Sequence, residues 1–218
     1  MAASKQDVRP TSIQTETTPP NRVLRQLLVV AGLSLVLGAA TSFAQTFLPD
    51  ALRPFANSAS GWTLLTAGAV AASHARTRPS AVFGAASFVA LVLGYQFTST
   101  LRGFPTSETL FLVIGVIVGP FVGVAASWLR HAGARAAIGC GVLSGIALGE
   151  GAYGLIQISA TTGWIYWTLV TIAGLALLVA TLLRGPRTPR ARLLTVGLTA
   201  LVAVSFFFSY TTIGQLVF

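Results

Sequence analysis

The stretch TLFLVIGVIVGPFVGVAASWL, Thr109–Leu129, decides the fold class of this 218-residue chain. It has 21 residues and no charged side chain, and it lies between Glu108 and Arg130. An α-helix needs about 20 consecutive apolar residues to cross the hydrocarbon core of a bilayer. The stretch therefore predicts a membrane-spanning helix, with a kink at Pro120, beside Gly119.

Apolar runs of similar length lie on both sides of this stretch. The chain is 54% hydrophobic and 9% charged, with a mean hydropathy of +0.77, whereas soluble domains carry roughly 25% charged residues. The predicted spans are about Leu24–Leu48, Phe55–Ser73, Ser80–Leu101, Thr109–Leu129, Ala134–Ile158, Gly163–Leu183 and Ala191–Val217. We therefore predict an all-α, polytopic transmembrane helix bundle over residues 23–218. Residues 1–22 are polar and predict a disordered tail in the cytoplasm.

The positions of Lys and Arg predict the orientation of the spans. If all seven runs cross, twelve of the fourteen basic residues share the side of the N-terminus, and only Arg53 and Arg102 lie opposite. If Phe55–Ser73 did not cross, five would share that side and nine would lie opposite. Basic residues of short loops favour the cytoplasm, so we predict seven spans, with the N-terminus inside and the C-terminus outside. The alternative is a signal peptide cleaved after Ser42-Phe43-Ala44, which would leave six spans.

Several classes of function lack the residues that they need. The net charge is +9, but the basic residues are scattered between apolar runs, so we expect no nucleic-acid partner. His74 and His131 lie far from any carboxylate and from Cys140, and no nucleotide-binding loop or dinucleotide fingerprint occurs. We expect no metal, no cofactor and no ATP-driven transport by this chain alone. An intramembrane enzyme is the least expected class, because a lone carboxyl lacks a catalytic companion.

Glu150 is the only acidic residue inside a predicted span, about 16 residues into the fifth. An ionisable group at that depth costs several kcal/mol unless it is paired, protonated or facing water. Helical spacing places Tyr153, Gly154 and Gln157 on the same face. One interpretation is a ligand or ion contact, or a carboxyl that carries a proton. The alternative is a protonated Glu that hydrogen-bonds to a neighbouring helix and only helps the helices to pack.

Polar and aromatic residues concentrate in the predicted outer halves of the spans and in the outer loops. They include Gln45, Asn57, Ser58, Trp62, Tyr95, Gln96, Glu150, Tyr153, Gln157, Trp164, Trp167, Tyr210 and Gln215. Binding sites combine aromatic walls with a few placed polar groups, so this pattern predicts an outward-facing pocket. An aromatic belt at the outer interface also accounts for the tryptophans, although not for polar residues within spans. The candidate ligand-binding residues are Glu150, Tyr153, Gln157, Asn57 and Gln96.

Small residues recur every four positions in three of the spans. The three ladders are Ser34, Gly38 and Ser42; Gly115, Gly119 and Gly123; and Gly141, Gly145 and Gly149. Such ladders let helix backbones approach closely, and packing inside the bundle is favoured over an interface with a protein partner. The first and fifth spans also share an early Leu-Ser and a Gln near the outer end. That similarity permits a three-plus-one-plus-three repeat, although chance similarity explains it as well.

The loop before the last span carries four arginines, which are Arg184, Arg187, Arg190 and Arg192. Each could contribute about 1 kcal/mol of attraction to anionic lipid on the cytoplasmic side. The favoured alternative is that they only fix the orientation of the spans.

Four short motifs resemble those of a bacterial family of small polytopic membrane proteins of unknown function. They are Phe55-Ala-Asn-Ser-Ala-Ser-Gly-Trp62, Gly94-Tyr95, Gly119-Pro120 followed by Trp128, and Glu150-Gly-Ala-Tyr153. The resemblance covers most of residues 24–217. It implies no activity, but it implies that Asn57 and the pair of Glu150 and Tyr153 belong to the family pattern. The family resembles the substrate-binding membrane components of vitamin importers only in size and span number, and those components have about six spans and rely on a separate energising partner.

Two functional hypotheses follow from the sequence. The first is a small-molecule binding or transport component of the cell membrane, with a pocket open to the outside around Glu150. The second is a non-catalytic accessory protein that packs against a larger membrane complex. The first hypothesis requires the candidate side chains to surround one cavity, whereas the second does not.

Overall fold

The structure is a computed structural model that describes residues 20–104, 109–184 and 188–217. Seven helices account for most of this part of the chain. They are α1 Pro20–Phe47, α2 Ala59–Ala72, α3 Thr77–Leu101, α4 Thr109–Trp128, α5 Ala134–Thr162, α6 Ile165–Arg184 and α7 Pro189–Val217. No strand occurs in these ranges, so the predicted all-α bundle is confirmed. Most of the predicted tail, residues 1–19, lies outside the described residues.

Six of these helices are long and apolar enough to cross a membrane, and α2 is the exception. It has 14 residues, which rise about 21 Å, whereas the hydrocarbon core is about 30 Å thick. A 3-10 turn, Arg53–Asn57, precedes it. The sequence predicts one continuous span over Phe55–Ser73, but the structure breaks that segment at Ser58, where the backbone is extended.

Helices α1 and α3 pack side by side in the same direction. The hydroxyls of Ser34 and Ser87 are 2.7 Å apart, and a Cβ at Gly38 would collide with the backbone of Leu91, one turn further along both helices. The small-residue ladder of α1 therefore lets the two backbones touch, as its spacing predicts.

Parallel packing of α1 and α3 requires α2 to carry the chain back. The side-chain amide of Gln26, near the start of α1, donates a hydrogen bond to the carbonyl oxygen of Ser73, just after α2, at 3.0 Å. The end of α2 therefore lies level with the start of α1. Although short, α2 returns the chain to the predicted cytoplasmic side, as a seven-span arrangement requires.

The remaining helices repeat this arrangement after α4. Helices α3 and α4 run antiparallel, with Ser80 against Gly123, Gly84 against Gly119 and Phe88 against Gly115. Helices α5 and α7 run parallel, with Gly141 against Leu198, Gly145 against Val202 and Gly149 against Phe206. Helix α6 runs antiparallel to α5, since Gly174 meets Ala147 and Gly151 meets Thr171, and so carries the chain back from the end of α5 to the start of α7. The order of helices is thus three, then α4, then three.

Candidate ligand-binding site

Glu150 lies on α5 and points at the start of α2. Its side chain is buried, with 2% of the residue exposed. Oε1 accepts a hydrogen bond from the N–H of Ala59 at 2.7 Å, and Oε2 accepts one from the N–H of Ser60 at 2.5 Å. The carboxylate therefore binds the first two amides of a helix that is distant in sequence.

The break before α2 explains why a carboxylate is placed there. The first N–H groups of a helix have no partner within the helix, and in a bilayer each unsatisfied group costs several kcal/mol. Glu150 accepts from Ala59 and Ser60, and the Ser58 hydroxyl accepts from the N–H of Gly61 at 2.8 Å. The first three amides of α2 are thus satisfied, and the positive end of the helix dipole meets a negative group. Both oxygens of Glu150 accept a backbone hydrogen bond, so each of the two N–H groups has its own acceptor.

The start of α2 is also bound to α6. The hydroxyl of Tyr166 is within hydrogen-bonding distance of the Ser58 hydroxyl, and its ring contacts the edge of Phe55 at a centroid distance of 6.5 Å. The indole N–H of Trp62 donates to the carbonyl oxygen of Ala56 at 2.9 Å. These contacts hold the 3-10 turn and the first turn of α2 against α5 and α6.

An open cavity of about 950 Å³ lies where α1 ends and α2 begins, at the predicted outer end of the bundle. We call it the outer cavity. Its polar lining residues are Gln45, Thr46, Asp50, Arg53, Asn57, Tyr95, Ser99, Arg102, Thr161 and Thr162. Aromatic walls come from Phe104, Trp164 and Trp167. A mixture of aromatic and polar groups is typical of small-molecule sites, whose volumes are roughly 300–1,000 Å³.

Arg102 carries a charge in the outer cavity that has no carboxylate partner among the described residues. Its guanidinium donates to the carbonyl oxygen of Ser42 and to the hydroxyls of Ser42 and Thr46, all neutral acceptors. It also lies 4.6 Å from the ring centroid of Phe43. Arg53, in contrast, pairs with Asp50 at 2.5 Å, and this is the only ion pair among the described residues. The described residues that line the cavity therefore carry a net positive charge.

A π-helical turn, Gly154–Ile158, interrupts α5 one turn after Glu150. A Cβ at Gly154 would collide with the indole of Trp167, so only glycine permits this approach of α6. The last turn of α5 follows, and Thr162 accepts a hydrogen bond from the indole N–H of Trp167 at 2.9 Å. Single π-helical turns are frequent at functional sites. Here the turn ends at Ile158, which lines the outer cavity together with Thr161 and Thr162.

The five candidate ligand-binding residues do not surround one cavity. Of the five, only Asn57 lines the outer cavity, where it is exposed. Glu150 lies beneath, against α2. The ring of Tyr153 packs on Phe207 and Tyr210 of α7, Gln157 is exposed in the π-helical turn, and Gln96 is half-buried on α3. A ligand contact by any of the five stays a prediction.

Sequence reasoning missed three features of this region. In the sequence Arg102 is recognisable only as a loop charge, because nothing in its neighbours along the chain shows that it lines a cavity. The bond between Ser58 and Tyr166 joins residues 108 positions apart, a separation that no local pattern reveals. The π-helical turn was also missed, although Gly154, its first residue, is the available signal.

The cytoplasmic arginines predicted to bind anionic lipid remain untested. Arg184, Arg190 and Arg192 are exposed, and Arg187 lies outside the described residues. Among the described residues no group of three or more His, Cys, Asp or Glu side chains could hold a metal ion.

A second, mostly apolar cavity, of about 750 Å³, lies between α2 and α6, and we call it the apolar groove. Helix α2 forms one wall and α6 the other, with α5 behind them. Its residues from α2 and α6 are Ser60, Gly61, Thr63, Leu64, Ala67, Gly68, Ala71, Tyr166, Leu169, Val170, Ala173, Gly174 and Leu177. Leu48, Leu52 and Phe55 close its upper end, next to the outer cavity.

Six apolar helices of spanning length among the described residues fit a multi-pass α-helical membrane protein. The chain belongs to a family of unknown function, DUF6518, whose family model matches residues 17–215. No curated protein and no solved structure matches the chain. The predicted resemblance to an uncharacterised family is therefore confirmed.

Proposed function

We propose that this protein is a small-molecule binding component of the cell membrane, and that the outer cavity is its binding site. The observation that carries the proposal is the cavity itself: about 950 Å³, open at the predicted outer end and lined by both aromatic and polar side chains. Its size and lining are typical of ligand sites. It is lined by Gln45, Asn57, Tyr95, Trp164 and Trp167, members of the outer polar and aromatic set from which the sequence predicts such a pocket.

In this proposal Glu150 is a positioning residue. It contacts the backbone of Ala59 and Ser60, two and three residues after Asn57 in the cavity wall. Ser58 and Tyr166 fix the same segment from α6. The buried carboxylate thereby holds the 3-10 turn in place and so shapes the cavity without needing to touch the ligand.

The test is accessibility of single cysteines to a membrane-impermeant maleimide in intact cells. Asn57→Cys and Thr161→Cys lie in the cavity wall, and the native Cys140 is fully buried, so the unmodified protein serves as the blank. Thr66→Cys is the matched control, since Thr66 is fully buried on α2. Thr188→Cys, exposed in the predicted cytoplasmic loop, controls for leaky cells.

We expect the two cavity cysteines to react in intact cells, and Thr188→Cys to react only after lysis. The proposal is wrong if the cavity cysteines remain unlabelled in intact cells while Thr188→Cys is labelled. It is also wrong if Asn57→Cys and Thr161→Cys react no faster than Thr66→Cys in the purified protein, because the cavity would then be closed.

An accessory role in a larger complex is the second candidate, and α7 favours it. Only 11% of the residues in its most apolar stretch are buried within the structure, so most of its surface is left to lipid or to a partner. Native electrophoresis of membranes solubilised in a mild detergent separates the two roles. A stable complex with another protein, lost on Val204→Trp at the exposed face of α7, would support the accessory role, and migration as this chain alone would exclude it.

A further inference from the structure

The apolar groove runs along the bundle for about the thickness of one leaflet. On α2 it extends from Ser60 to Ala71, and on α6 from Tyr166 to Leu177. Eleven residue steps on either helix rise about 17 Å, whereas half of a hydrocarbon core is about 15 Å. Leu64 and Leu169 at its edges are 65% and 50% exposed, so the groove is open sideways to the bilayer.

The groove and the outer cavity adjoin along the segment before α2 and at the start of α6. In the segment before α2, Arg53, Pro54 and Asn57 line the outer cavity, whereas Leu52 and Phe55 line the groove. At the start of α6 the neighbours of Tyr166 line the cavity and Tyr166 itself lines the groove. A polar, positively charged compartment thus lies directly above an apolar channel that opens to lipid.

We propose that the two compartments bind one anionic glycerophospholipid, with its phosphate headgroup at Arg102 and an acyl chain in the apolar groove. This rests on the proposed function, because it names the ligand class of the same site. The guanidinium of Arg102 donates hydrogen bonds only to neutral oxygens, and it has no carboxylate partner among the described residues. Its positive charge therefore complements the negative charge of a headgroup phosphate.

The shape of the groove favours an acyl chain over other occupants. Its wall is apolar apart from a few hydroxyls, and the Tyr166 hydroxyl is already bonded to Ser58, so a peptide backbone would leave its polar groups unsatisfied there. Its length of about 17 Å suits a chain confined to one leaflet, whereas a polyprenyl chain is much longer.

Native mass spectrometry of the purified full-length protein tests the proposal. The protein is reconstituted into nanodiscs of phosphatidylcholine and phosphatidylglycerol in equal amounts, released from them, and analysed for lipids that remain bound. We expect one phosphatidylglycerol per chain to be retained at least about fivefold more often than phosphatidylcholine, since a charge-assisted contact discriminates by that much or more.

Two classes of variant test the headgroup contact and the acyl-chain contact separately. Arg102→Gln removes the charge but keeps donors for Ser42 and Thr46, and should abolish the preference for phosphatidylglycerol. Gly68→Leu fills the groove, where a Cβ meets no atom within 4 Å, and should reduce retention of both lipids at least about fivefold. Ala173→Leu on the opposite wall should do the same. Gly32→Leu is the matched control, a helical glycine with equally open space outside the groove.

Retention of both lipids in equal amounts would overturn the proposed headgroup contact. If the Gly68→Leu and Gly32→Leu variants retained equal amounts of lipid, the proposed acyl-chain site in the groove would be overturned. A polyprenyl phosphate, a peptide or a second copy of the protein found in place of the lipid would overturn it as well. Labelling of Asn57→Cys from outside does not depend on lipid identity. If labelling succeeds and lipid retention fails, the outward-facing cavity stands and only its ligand class is wrong.

Discussion

Replacing Glu150 by Gln disturbs one of the two hydrogen bonds that this side chain accepts from the start of α2. The wild-type carboxylate accepts hydrogen bonds from the amides of Ala59 and Ser60 at 2.7 and 2.5 Å. A glutamine has a single acceptor oxygen, so its NH2 group must face one of those two N–H groups. The substitution also removes the negative charge from the positive end of a helix.

The magnitude follows from these two losses. A buried N–H left without a partner costs about 1–3 kcal/mol. Loss of the charge at the helix N-terminus costs about 0.3–2 kcal/mol more. We expect Glu150→Gln to destabilise the protein by about 2–4 kcal/mol, or roughly 5–15 °C in Tm for a chain of this size. If Glu150 were a protonated carboxyl that only helped packing, glutamine would keep the shape and a donor, and the change would be nearly silent.

The assay is the Tm of purified protein in detergent. It is measured as the temperature at which half of the monodisperse peak on size exclusion is lost after heating. Glu150→Leu should lower the Tm further than Glu150→Gln, because it leaves both amides unsatisfied. Gln157→Ala, an exposed change two turns along the same helix, should shift stability by about 0.5 kcal/mol or less. A Tm for Glu150→Gln within 2 °C of wild type would refute the capping role.

Three further predictions concern the fold around this contact. Ser58→Ala removes the acceptor for Gly61 and the partner of Tyr166, and should cost about 1–2 kcal/mol in the same melting assay; an unchanged Tm would show that the hydroxyl is dispensable. Gly38→Val should prevent accumulation of folded protein, because its Cβ would collide with Leu91, whereas Gly32→Val, with open space around it, should be tolerated; equal yields would contradict the close packing of α1 on α3. A topology reporter after Phe218 should read outside and one in the Arg184–Arg192 loop should read cytoplasmic; opposite readings at both positions would reverse the orientation.

The fold was largely predictable because its determinants are local. Runs such as Thr109–Leu129 show a spanning helix by length and composition alone. The ladder of Gly141, Gly145 and Gly149 predicts close packing, although only the structure shows that its partner is α7. The charge distribution predicts that the second segment crosses, and Asn57 and Ser58 make it less apolar, but neither observation predicts the break at Ser58.

The site was predictable in kind but not in its contacts. The enrichment of polar and aromatic residues toward one end predicts a pocket there, and a cavity lies at that end. The depth of Glu150 predicts a polar partner on another helix, but its partners are backbone amides of Ala59 and Ser60, which carry no mark in the sequence. Arg102 was missed as a cavity residue because its hydrogen-bond partners, Ser42 and Thr46, come from α1, far away along the chain.

The most direct test of the account is an experimental map of the protein in a lipid nanodisc by electron cryo-microscopy. We expect both Glu150 oxygens to lie within hydrogen-bonding distance of the amides of Ala59 and Ser60, with the outer cavity open beside Asn57. We also expect non-protein density in that cavity. A start of α2 that is separated from Glu150, together with a closed or empty outer cavity, would contradict the account.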